Sequence, residues 1–112
     1  MFNSLTLNEK EALGRIGLGI FGIATGGRIR TNDPNIYNLF VDMFGVSSQE
    51  EIIPILQRIM RIDQSSATLT ASNLTYVEKD EFRKYMISKC NNDMHLLLPL
   101  AGFMQSIGFQ MR

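Results

Sequence analysis

Apolar residues recur along this chain at helical spacing, in five stretches, and nowhere alternate at the spacing of two that marks a half-buried strand. Leu13, Ile16, Ile20, Ile23 and Ala24 share one helical face and predict a first helix over Asn8 to Thr25. Asn8 is its expected cap, Glu9 and Glu11 suit the positive end of the helix dipole, and Gly26 and Gly27 end it. Asp33-Pro34 is a second start, because proline at the first helical position gives up an N–H that has no partner there. Ile36, Tyr37, Phe40, Val41 and Phe44 form its apolar stripe, and Gly45 its stop. Ser48-Gln-Glu-Glu51 has the spacing of a capping box and opens a third helix with Ile52, Ile55, Leu56, Ile59 and Met60 inward. Pro54, well inside it, predicts a kink or a first turn that starts late.

Asp63 to Asn73 is rich in serine and threonine and lacks a helical period, so it reads as the longest loop, anchored by Leu69. Thr75-Tyr-Val-Glu78 is a second capping box. The helix it opens carries Phe82, Tyr85, Met86 and Cys90 on one side and most of its charges on the other. Asn91 and Asn92 break it. Asp93 starts a last helix to about Gly108 that is apolar nearly all round, from Met94 through Leu98 to Ile107. The expected fold is all-α: a compact bundle of about five helices in one domain, residues 1–112. A slip of 45 residues carries Pro54 onto Pro99, Ser48 onto Asp93, Phe40 onto Tyr85 and Ile53 onto Leu98, which predicts two quasi-repeated helical hairpins.

Composition narrows the function classes. Eleven basic side chains balance eleven acidic ones, so no basic excess points to nucleic acid or to an anionic membrane. One cysteine excludes an internal disulfide and suits a reducing compartment, so a cytoplasmic protein is expected. Met1 to Lys10 lacks the pattern of a signal peptide. The longest apolar run, Ile16 to Ala24, is well short of the roughly 20 residues that span a bilayer.

The candidate chemistry is thin. Gly17-Leu-Gly-Ile-Phe-Gly22 spells the dinucleotide fingerprint, with Asp42 twenty residues on. That motif works between a strand and a helix, and here a helix precedes it, so close helix packing through the glycines, Gly19 included, is the expected use. A ligand- or nucleotide-binding role for residues 17–22 is the alternative. Cys90 and His95, each the sole residue of its type, could pair as nucleophile and base, across a predicted helix break. Glu78, Asp80 and Glu81 alternate with lysines as a solvated helix face does. Arg28 and Arg30 lie near the helix start at Asp33, whose carboxylate already takes the place an anion would use. Asn73-Leu-Thr75 is a glycosylation sequon. No cofactor and no metal site is expected.

Ala24-Thr-Gly-Gly-Arg-Ile-Arg30, a helix ending at Phe44-Gly45 and the helix from Ser48 together resemble the small helical domain of tellurite-resistance TerB-like proteins, over roughly residues 16–62. The family pattern is a helix, Ala-x-Asp-Gly-x-Ile, then an acidic helix start. Gly26 stands where the family has its aspartate, so the resemblance implies a helical fold and carries over no metal role.

The function expected is a non-enzymatic interaction module: an adaptor, an inhibitor or an assembly subunit. A five-helix shell can surround one apolar helix, but two are present, near 13–25 and 94–108. Phe103, Met104, Phe109 and Met111 are the expected partner-binding residues, because aromatic and methionine side chains are enriched at interfaces. The partner is another protein or a second copy of the chain. The plainer alternative is that the Ser65–Ser72 segment and the tail fold over that face and complete a core.

Overall fold

The structure is a computed structural model that describes residues 2–24 and 28–110. Among these residues it holds six α-helices and no strand. They are α1 (Leu7–Ala24), α2 (Pro34–Phe44), α3 (Gln49–Met60), α4 (Gln64–Ser72), α5 (Tyr76–Cys90) and α6 (Met94–Ser106). The all-α expectation holds. The sixth helix is α4, in the segment read as a loop. Its buried side chains are Ala67 and Ala71, four residues apart and therefore on one face. Alanine is small, so α4 lies close against α1, its principal neighbour. Its hydroxyls donate inward along the helix: Thr68 to the Gln64 carbonyl at 2.9 Å, Thr70 to Ser66 at 3.0 Å, Ser72 to Leu69 at 2.7 Å. A pattern built on large apolar residues does not register such a helix. Leu69, expected to anchor the segment, is 64% exposed.

Helix α1 is the centre of the molecule and packs against α2, α3, α4 and α6. Leu13, Ile16, Leu18, Ile20 and Phe21 are all buried along it. Gly14 and Gly17 bring its neighbours close. A Cβ at Gly17 would stand 2.9 Å from Leu39 Cδ2 of α2, and one at Gly14 would stand 3.2 Å from Ile59 Cδ1 of α3. Gly19 does not share this role, contrary to expectation. Its nearest neighbour is the head of Arg15, Nη1, 3.8 Å from where a Cβ would stand. Thr25, Gly26 and Gly27, expected to end α1, lie outside the described residues.

The helix ends follow local chemistry, with two corrections. Thr6, not Asn8, caps α1: Glu9 N–H donates to Thr6 Oγ1 at 3.2 Å and Thr6 N–H to Glu9 Oε1 at 2.8 Å, a reciprocal capping box. Ser48 precedes α3 without a side-chain cap, because Glu51 reaches back instead to Ser47, accepting from its Oγ at 2.5 Å and its N–H at 3.3 Å. Helix α3 starts directly after Ser48, so Pro54 delays no first turn. Thr75 and Glu78 form the box expected of them. Asp33 and Asp93 cap α2 and α6 through the N–H groups of Asn35 and His95, each at 2.9 Å. Gly45, at φ 67°, ends α2, and Asn91 and Asn92, at φ 48° and 62°, turn the chain between α5 and α6.

Ahead of α1, Phe2 and Leu5 enter the core. Phe2 meets Tyr85 edge-on with ring centroids 5.4 Å apart, and its N–H donates to Glu81 Oε1 at 3.1 Å. No helix among the described residues is long and apolar enough to cross a membrane.

Candidate functional site

Residues 17–22 lie in the uninterrupted helix α1. A dinucleotide fingerprint works through a tight turn whose free backbone N–H groups face the pyrophosphate. Mid-helix N–H groups are spent on the carbonyls four residues back. The segment therefore lacks the geometry of that motif, and Asp42 lies on α2 with a different set of partners.

Cys90 is buried at the end of α5, and burial pushes its thiol above the usual range, with Asp93 adding to the shift. A thiol held protonated is a poor nucleophile. His95 is exposed in the first turn of α6, and no hydrogen bond joins it to Cys90. The acidic residues of α5 each have a structural use. Glu78 closes the capping box, Glu81 receives Phe2, and Asp80 holds Arg83 at 2.6 Å and Lys84 at 3.1 Å. Hydrogen bonds from Arg83 and then Lys84 keep the Asp80 carboxyl below its ordinary range. Among the described residues no group of three His, Cys, Asp or Glu could hold a metal ion. Asp33 is occupied by its cap, and the Arg30 carbonyl accepts from Asp33 N–H at 3.0 Å.

Of the residues expected to meet a partner, Phe103, Met104 and Phe109 are among those described. Met104 is fully buried, and Phe103 is half-buried with its ring edge-on to Phe82, centroids 6.2 Å apart. Phe109 is buried as well. It stacks on Tyr76 at 4.9 Å, with the Arg83 guanidinium 5.5 Å from its ring. Its position follows from how α6 ends. Gly108 takes φ 81°, its N–H donates to Gln105 O at 3.0 Å, and Phe109 N–H donates to Met104 O at 2.9 Å. This is the Schellman ending, and it turns the following apolar side chain back onto the protein. Met111 lies outside the described residues. Helix α4 thus lies against α1, and Phe109 against Tyr76.

What stays uncovered is the outward face of α6. Met94 is 56% exposed and Leu98, one turn on, 64%. Gly102, a further turn on, is exposed, and a Cβ there would meet nothing within 4 Å. Ala101 is half-buried and Gln105 exposed. No residue from Met94 to Ser106 carries a formal charge apart from His95 when protonated. Other exposed apolar residues are Leu7 in α1, Ile53 and Met60 in α3, and Tyr76, Val77 and Ile87 in α5, on helices that also carry charges, and Leu69 in α4, which has no charge but is rich in hydroxyl side chains.

Two features went unread in the sequence. A polar cluster joins α2 to α5: Tyr85 Oη donates to Asp42 Oδ2 at 2.7 Å, Lys89 Nζ stands 3.7 Å from the same oxygen, and the three line an open cleft of about 440 Å³ with Val41 and Ser88. A smaller cleft of about 220 Å³ lies where α1, α4 and α6 meet, lined by Ile16, Gly19, Ile20, Gln64, Pro99 and Phe103. Both combine residues far apart in the chain, which no local spacing signals.

No family model, no curated protein and no solved structure matches this chain, and the TerB-like resemblance rests on its residues alone.

Proposed function

We propose that the chain is a non-enzymatic protein–protein interaction module, a single helical domain over residues 1–112 that meets a partner polypeptide or a second copy of itself across the outward face of α6. The observation that carries this reading is the character of that face. A water-facing helix surface ordinarily carries charge, and this one offers Met94, Leu98, Ala101, Gly102 and Gln105. Glycine inside a helix costs about 1 kcal/mol relative to alanine. Gly102 has neither a positive φ nor a close neighbour to require it, whereas a helix laid across it would approach the bare backbone closely. Phe103 and Met104 lie on the inner side of the same helix and hold that face in place.

A non-enzymatic role is supported by the structural engagement of Cys90, Glu78, Asp80 and Glu81. Action in the cytoplasm is supported by the single cysteine. The duplicated-hairpin reading of residues 33–62 and 78–107 is supported by Pro54 and Pro99, each the sixth residue of its helix, and by Ile53 and Leu98, exposed just before them.

The test is light scattering over a concentration series, together with affinity capture from the source cells, each run on wild type and on Leu98→Asp. The expected result is a dimer or a captured polypeptide that Leu98→Asp removes while the thermal melt is retained. A monomer that captures nothing, or binding indifferent to Leu98→Asp, overturns the reading.

A further inference from the structure

The cleft between α1, α4 and α6 lies on the other side of α6 from the proposed interaction face and is independent of it. Of the glycines in α1, Gly14 and Gly17 are explained by close neighbours at 3.2 Å and 2.9 Å. Gly19 is not: only the flexible head of Arg15 comes near, at 3.8 Å, an ordinary contact distance. Gly19 has no positive φ either. Its one distinctive setting is the cleft, where it leaves bare backbone between Ile16 and Ile20 on one side and Pro99 and Phe103 on the other. A Cβ there would project into space that a flat molecule could use.

Size and lining define what fits. The volume is about 220 Å³. Apolar cavities of about 150 Å³ take up benzene, and drug-sized ligands occupy roughly 300 Å³ or more. One ring is therefore the right scale. Polar groups lie at its edge. Gln64 lines it, and Arg15 Nη1 lies beside Gly19. Arg15 Nε already donates to the Ile62 carbonyl at 3.3 Å, while its terminal nitrogens have no acceptor among the described residues. A guanidinium only donates, so the complementary ligand group is an acceptor.

We propose that this cleft binds a single-ring aromatic molecule bearing one hydrogen-bond acceptor, with the ring over Gly19 and the acceptor toward Arg15 and Gln64.

Benzamide is the probe, and benzene, which lacks the acceptor, is the comparator. Both are titrated to millimolar concentration while the backbone amide signals are followed by NMR. Benzamide is expected to move the signals of residues 16–20 and 100–103. Gly19→Ala is expected to melt no lower than wild type, because alanine favours the helix, and to bind benzamide more weakly, because its methyl group occupies the cleft. Arg15→Met is expected to weaken benzamide about tenfold, the loss of one hydrogen bond from a charged donor, and to leave benzene unchanged. Four results each overturn the proposal: no shifts with benzamide, a lower melting temperature for Gly19→Ala, undiminished binding by Gly19→Ala, or benzene binding as tightly as benzamide.

Discussion

Tyr85 shows how one side chain couples two helices. Its ring is buried against Phe2 and its hydroxyl donates to Asp42 Oδ2 at 2.7 Å. Burial first, and then the Asp42 carboxylate, push its ionisation well above the ordinary value of 10.0. A group raised on folding contributes stability that is whole below its unfolded value and declines as the pH climbs past it. Wild type should therefore melt at progressively lower temperature above pH 10.0, and Tyr85→Phe should flatten that decline. At neutral pH the same substitution should cost about 1 kcal/mol, one hydrogen bond, as read by urea titration. Gly17 makes the opposite point, that an absent side chain can carry a contact. A methyl group there would stand 2.9 Å from Leu39 Cδ2, so Gly17→Ala should lose about 1–3 kcal/mol despite its better helix propensity, again by urea titration. Gly14, Gly17 and Gly19 look alike in the sequence. Their difference lies in what stands opposite each of them.

Among the elements, the helix ends were the most legible, because capping is settled within four residues. The limits of that legibility are instructive. Thr6-Leu-Asn-Glu9, Ser48-Gln-Glu-Glu51 and Thr75-Tyr-Val-Glu78 all spell a capping box. The first and third form, whereas at the second a nearer hydroxyl, Ser47, takes the glutamate and holds the Glu51 carboxyl below its ordinary range. Helix α4 was illegible for another reason. Its stabilising face is two alanines whose value depends on α1 lying against them. At the end of α6, Gly108 carries the Schellman turn at φ 81°. Gly108→Ala should cost about 1 kcal/mol, since a Cβ is disfavoured in that conformation. It should also loosen Phe109 from Tyr76, which a drop in melting temperature with an altered near-ultraviolet dichroism spectrum would report.

In the whole molecule, α1 is the hub. Besides its apolar contacts it holds Glu11, the buried charged residue among those described, which pairs with Arg58 of α3 at 3.0 Å. Arg15 reaches the Ile62 carbonyl beyond the end of α3. Amide hydrogen exchange should accordingly be slowest in the middle of α1, around residues 13–18, and faster in α4, whose outer side faces water. Protection higher in α4 than in α1 would contradict this hierarchy. The sequence by itself determined that the chain is helical and where most helices begin and end, because helical period, proline, glycine and capping act over a single turn. It also determined that two apolar helices compete for one centre. Only the tertiary structure decided that α1 takes that centre, that a serine-rich segment becomes a helix to cover it, and that α6 turns Phe103 and Met104 inward and Leu98 outward. Those outcomes depend on the fit between segments tens of residues apart, which a local pattern does not contain.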